Sequence, residues 1–167
     1  VIPPIAKLRE AGCPIASGTD NNTNDMFSVM KVALLTERIS RNDVIPGTQP
    51  QPEDMLEDAT QGGARAVNQE QLLGSLEIGK KADLIVLDTQ QAHLVPAGRI
   101  VSAWIHNGQP SDIESVMVDG QFVMRSRKVL TMDEDHIIAE ADKVGRRIWN
   151  QVEAASPITV PRLPRRQ

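Results

Sequence analysis

An aspartate in a short run, Pro14-Ile15-Ala16-Ser17-Gly18-Thr19-Asp20-Asn21-Asn22, is the residue of this sequence best placed to do chemistry. A carboxylate there can ligate a hard divalent metal, and it can also take up a proton and pass it on. The run itself predicts a strand over Pro14–Gly18, rising out of a Gly12-Cys13-Pro14 turn, and a polar loop that carries Asp20. A helix follows at once, with Asp25 as its N-cap. At the C-terminal ends of parallel strands α/β proteins build their sites, so Asp20 is the candidate functional residue. The competing reading is a carboxylate that merely closes an Asx-turn or caps the helix. Asn21 and Asn22 stand where substrate contacts arise, with no role assigned to either.

Other reactive side chains are few. Of the three histidines, His93 reads as a half-buried loop residue before Leu94-Val95-Pro96, His106 as a strand-end turn residue, and His136 as part of a helix's first turn. A metal site needs several convergent ligands, so each of these is read as structural. The single cysteine, Cys13, forms no internal disulfide and is expected to pack as a small hydrophobe. Gly74, Gly79 and Lys80-Lys81 hint at a phosphate loop, but the spacing is not that of a P-loop and no helix follows, so a solvated turn is expected. Arg162, Arg165 and Arg166 make a short basic tail.

The elements that must position Asp20 come next. Residues Ile5 to Ala11 carry a short helical pattern stopped by Gly12. From Asp25 the apolar positions Met26, Phe27, Met30, Ala33 and Leu34 recur at helical spacing up to about Arg38. A loop is expected from Asn42 to Gln51, then a helix opening at Pro52-Glu53-Asp54, with proline in the first turn and acids at its positive end. Met55, Leu56, Ala59 and Val67 form its buried stripe, and Gly62-Gly63 permits close packing. Between Val67 and Leu73 the character changes. Strands are expected at Leu84–Leu87, Val101–Ile105 and Ile113–Val118, and the Asp119-Gly120 pair closes a two-residue hairpin onto Gln121–Met124. A last helix starts near Thr131 or Asp133, either through a Thr131–Glu134 capping box or with Asp133 as cap. Its stripe of Ile137, Ala141, Val144, Ile148 and Val152 is expected to pack on something. The tail from Ser156 onward has no periodicity and is expected to be loosely held.

Composition narrows the function. The 167 residues are 40% hydrophobic and carry a net charge of −4, with Trp104, Trp149, Phe27 and Phe122 as the whole aromatic set. Neither nucleic acid nor an anionic membrane is favoured by that charge, and base-stacking platforms are absent. No apolar run is long enough to span a membrane and no signal peptide is visible, so a cytoplasmic protein is expected.

Taken in order, these stretches resemble the C-terminal portion of a metal-dependent amidohydrolase, in the branch of cytosine, guanine and adenosylhomocysteine deaminases and triazine hydrolases. Ala16-Ser17-Gly18-Thr19-Asp20-Asn21 resembles the family's "GTD" at the end of the eighth barrel strand. Ala59-Thr60-Gln61-Gly62-Gly63-Ala64-Arg65-Ala66 resembles its "AT-x-x-GA-x-A" helix. Gly74-Ser75-Leu76-Glu77-Ile78-Gly79-Lys80-Lys81-Ala82-Asp83-Leu84 is similar to its "GS-x-E-x-GK-x-ADL", and Val116-Met117-Val118-Asp119-Gly120 to its late "V-x-V-x-G" hairpin. The likeness runs from about Val1 to Val152.

The resemblance implies an α/β plus β chain: the last strand and helices of a (β/α)8 barrel over residues 1–70, part of a small β-sandwich over 71–130, and a C-terminal helix over 131–155 packing on the barrel, with a loose tail over 156–167. It also implies deamination or a related C–N hydrolysis of a small N-heterocycle by a hydroxide bound to a divalent metal, zinc first and iron second. By motif, Asp20 ligates that metal and shuttles the proton. The family's His-x-His pair and its other histidine ligands are not in this sequence, so the chain reads as a fragment, inactive alone and without metal of its own. An incomplete barrel edge would expose apolar surface, and a homo-oligomer is one way to cover it. The alternative is a non-catalytic, β-rich assembly module. Substrate-binding residues are not identifiable.

Overall fold

The computed structural model describes residues 3–21, 23–42, 49–96 and 98–155. Asn22, most of the loop expected after Asn42 and the whole tail from Ser156 lie outside the described residues. The chain divides into two compact units, Val1–Lys128 and Val129–Gln167.

The first unit begins with α1 (Ile5–Glu10), stopped by Gly12 at a φ of 75°. Helix α2 (Met26–Arg41) starts where Asp25 predicts it: the Phe27 N–H donates to Asp25 Oδ1 at 2.9 Å, and the Ser28 hydroxyl donates to the other oxygen. Such a cap contributes about 1 kcal/mol by satisfying an otherwise orphaned donor. Helix α3 (Pro52–Glu57) opens with Pro52 in its first turn and with the Gln51 N–H donating to Asp54 Oδ2 at 2.7 Å. It widens into a single π-helical turn, Asp58–Gly62, before closing as α4 (Gly63–Ala66).

Met30 and Leu34 of α2, Met55 of α3 and Ile105 form the buried core, with Ala33, Ala59 and Val101 packed against it. Ile105 and Val101 belong to α5 (Ile100–Asn107), so the strand expected at Val101–Ile105 is a helix. The β-branched residues there argue for a strand on propensity alone. Helical geometry instead puts Val101, Trp104 and Ile105 on one face toward Met30 and Leu34, and that burial outweighs the weak local preference. Trp104 meets Phe27 edge-on, with centroids 5.3 Å apart. His106 consequently lies in a helix's last turn, its Nδ1 2.8 Å from the Ser102 carbonyl oxygen, rather than at a strand end.

No strand forms at Pro14–Gly18. The backbone is extended and exposure alternates from half-buried Ile15, Ser17 and Thr19 to exposed Ala16, Gly18 and Asp20. A strand, however, needs a neighbour to pair with, and among the described residues none lies beside this segment. Cys13, expected to pack, is exposed.

The sheet runs in the order β1-β2-β3-β4, with β1 Leu84–Leu87, β2 Ile113–Val118, β3 Gln121–Arg125 and the two-residue β4, Lys128–Val129, at the unit boundary. Strands β1 and β2 are antiparallel, Leu84 opposite Met117, as are β2 and β3, Val118 opposite Gln121. Asp119 and Gly120 take φ values of 49° and 78°, the left-handed pair that a two-residue hairpin requires. The Gly74–Asp83 segment is a turn region, with Lys81 Nζ 2.8 Å from Asp119 Oδ2. His93 is tied 2.9 Å from the Oδ2 of buried Asp112, which also accepts the Gln109 N–H at 2.8 Å.

The second unit is chiefly α6 (Glu134–Ala155). Asp133 caps it, accepting the His136 N–H at 3.0 Å. Within this unit the stripe residues Ile137, Val144, Ile148 and Val152 are 50, 39, 48 and 37% exposed. No described helix is long and apolar enough to cross a membrane.

Candidate functional site

The extended segment delivers Asp20 to the wall of a cleft of about 500 Å³ in the first unit. Ile5, Ile15, Val29 and Val32 give the cleft an apolar floor, and Ser17, Thr19 and Asp20 supply polar groups along one side. Asp20 is exposed and takes a φ of 50°, in the left-handed region that aspartate tolerates better than most residues. Its backbone carbonyl accepts the Thr19 hydroxyl at 3.3 Å. The helix cap that Asp20 was weighed for belongs to Asp25, and among the described residues no donor caps the Asp20 carboxylate.

Two backbone approaches hold the segment that carries Asp20. The Ser17 N–H donates to the Asp58 carbonyl oxygen at 3.2 Å. One turn on, Gly62 lies so close to the Ile15 carbonyl that a Cβ there would overlap its oxygen, whereas neighbouring Gly63 faces open space. The glycine pair is thus asymmetric: one residue is demanded by a backbone contact and the other is not.

Charged side chains line the deep end of the same cleft. Arg9 of α1 makes a two-pronged pair with Asp58, Nη1 to Oδ1 at 3.1 Å and Nη2 to Oδ2 at 2.7 Å, and its Nη2 also reaches Glu37 Oε2 at 3.4 Å. Glu37 accepts a further bond from Arg41 Nη2 at 2.9 Å. Asp58 and Glu37 are buried, at 5% and 4% exposure, so their charges depend on these arginines. The hydrogen bond that Arg9 donates to Asp58 raises the guanidinium above its ordinary, already basic range, against the opposing effect of burial. No local pattern marks this cluster, because Arg9 and Asp58 are 49 residues apart.

As a ligand set the cleft is sparse. Among the described residues no group of three or more histidines, cysteines, aspartates and glutamates could hold a metal ion. His93 and His106 are engaged with Asp112 and Ser102, and His136 lies on α6. Asp20 therefore fits as one hard oxygen ligand, and the described residues do not complete a site around it.

The chain belongs to the amidohydrolase family, whose model it matches over residues 1–123. Among its relatives is a 5-methylthioadenosine/S-adenosylhomocysteine deaminase of Desulforudis audaxviator, 35% identical over 157 residues, covering 90% of this chain and 35% of that protein. A 5'-deoxyadenosine deaminase of Methanosarcina barkeri is 34% identical, covering 92% and 35%. A crystal structure of an adenosine deaminase from Xanthomonas campestris with bound zinc superposes with a TM-score of 0.82 at 30% identity, over 88% of this chain and 34% of that one. A triazine hydrolase variant shares the fold, with a TM-score of 0.76 at 23% identity. The chain thus spans about a third of the length of each of these relatives.

Proposed function

We propose that this chain is the part of a hydrolytic deaminase that carries its metal-binding aspartate, Asp20, and that the whole enzyme removes the exocyclic amine of an adenosine-type N-heterocycle. In this reading residues 1–70 belong to a barrel, residues 71–130 to a β-sandwich, and residues 131–155 form a C-terminal helix. The observation that carries the proposal is the position of exposed Asp20 in the cleft lining, directly after the Ile15–Thr19 segment. The names of the deaminase relatives support the substrate class.

A divalent metal, zinc first and iron second, would supply Lewis acidity and bring the pKa of the attacking water to about 7. Asp20 would be one of its ligands. The role of this chain is then positional and acid–base. A carboxylate oxygen of Asp20 accepts a proton from the attacking water, holds it while the water oxygen bonds to the ring carbon, and delivers it to the departing nitrogen. The C–N bond breaks, and the amine leaves as ammonia with that proton. The remaining ligands come from outside this sequence, so the 167-residue chain alone is inactive and binds no metal tightly.

Two measurements test this. After chelation and dialysis against zinc, the purified 167-residue chain is expected to hold no stoichiometric metal; one tightly bound ion lost on Asp20→Ala would overturn the reading that the remaining ligands lie outside this sequence. In the protein encoded by the full reading frame, Asp20→Asn is expected to lower adenosine deamination by about 100-fold or more. Activity within twofold of the parent, or an upstream frame with no His-x-His segment, would overturn the functional reading.

A further inference from the structure

We propose that the Arg9–Asp58 pair and the π-helical turn Asp58–Gly62 form a clamp whose task is to set the position of Asp20, acting through the backbone of Ile15–Ser17. The inference rests on the reading of Asp20 as the functional carboxylate.

Asp58 faces two ways. Its side chain is fixed by both Nη atoms of Arg9, and its backbone carbonyl holds the Ser17 N–H, three residues before Asp20. A planar guanidinium gripping a carboxylate through two parallel bonds restricts rotation as well as distance, which a single contact does not. The other end of the same turn is pressed against Ile15 through Gly62. These two contacts fix the backbone on either side of Ala16. π-helical turns are rare and cluster at functional sites, because the extra residue redirects groups that a regular helix keeps to itself. Burial of Asp58 and Glu37 makes the arrangement all-or-none: with Arg9 gone, neither acid keeps its full complement of partners. Arg9 and Asp58 are thus positioning residues, since neither need touch substrate.

Asp58→Asn tests the clamp, because it keeps the side-chain shape and the backbone carbonyl while abolishing the ion pair. Arg9→Lys is the milder second variant, keeping the charge and losing the two-pronged grip. In the 167-residue chain, amide hydrogen exchange of Ser17 is expected to accelerate at least tenfold in both variants, while amides of the Val116–Met124 hairpin exchange at the parent rate. Unchanged Ser17 exchange in either folded variant would overturn the clamp. If Asp58→Asn loses hairpin protection as well, Arg9→Lys decides alone.

In the protein from the full reading frame, both variants are expected to lower kcat by about 10- to 100-fold with KM within twofold, as misplacing a catalytic group by about 1 Å does. Parent kcat in a folded variant would overturn the positioning role. Asp20→Asn separates the two ideas. If it leaves activity intact, the functional reading fails whatever the Ser17 exchange shows. If it abolishes activity while Asp58→Asn and Arg9→Lys change neither exchange nor kcat, the clamp alone fails.

Discussion

The helical part of the first unit, α1 to α4, and its sheet are held together by different physics. The helical part buries charge: Glu37 and Asp58 lie beneath Arg9 and Arg41, next to a core built from Met30, Leu34, Met55 and Ile105. Around the sheet most charge pairs lie at the surface, as in Lys81–Asp119 and Arg127–Asp88, with Asp112 beside His93 the buried exception, and Ile85, Val86 and Val118 are 44, 43 and 49% exposed. Buried charge tolerates one geometry, whereas exposed pairs contribute little and adapt. Rigid placement is therefore found on the side that carries Asp20, and the sheet is defined mainly by its local turn.

Five substitutions break or sharpen this contrast. The largest effect is expected from Leu34→Ala, at a fully buried position, which should cost about 2–5 kcal/mol in urea unfolding. Val118→Ala, half-exposed on the sheet, should cost less than about 1 kcal/mol. Equal costs would remove the distinction between the regions.

The adjacent glycines give the next test. Gly62→Ala should destabilise by about 1–3 kcal/mol, because its new methyl must displace the Ile15 backbone. Gly63→Ala should stabilise by about 0.5–1 kcal/mol, because the space is open and alanine is the better helix former. Thermal unfolding of the two variants with the same sign would show that the close approach to Ile15 does not constrain the chain.

The smallest effect belongs to the sheet and depends on pH. The hydrogen bond from Arg127 lowers the Asp88 carboxyl below its ordinary value of 3.8. A lowered folded-state pKa means that the pair stabilises the protein above that value and ceases to do so as pH falls through the folded pKa. Parent and Arg127→Gln should differ slightly in melting temperature at pH 7, with the parent higher, and should converge as pH falls through the folded-state pKa of Asp88. A difference that persists in acid would mean that Arg127 acts through packing against the chain and not through its charge.

Features set by neighbouring residues were legible from the sequence. The Asp25 cap, the Pro52 opening of α3 and the Asp119-Gly120 hairpin each depend on contacts within a few positions, and each stands where its pattern placed it. Family membership was legible for a related reason, since ordered short motifs survive without knowledge of their contacts. Val101–Ile105 was misread because β-branched content spoke for a strand while the core at Met30 and Leu34 required a helix face. His106 was misplaced with it.

What the sequence determined alone is a set of local rules: where helices start, where glycine must turn the chain, and that a lone aspartate stands in a family motif. Whether an extended segment becomes a strand depends on a partner elsewhere in the chain, and at Pro14–Gly18 the partner is a helical turn 40-odd residues away in sequence (Ser17 to Asp58). The grip of Arg9 on Asp58 across 49 residues is equally invisible to any short pattern. Those decisions belong to tertiary structure, because burial and hydrogen-bond satisfaction are properties of residues brought together in space.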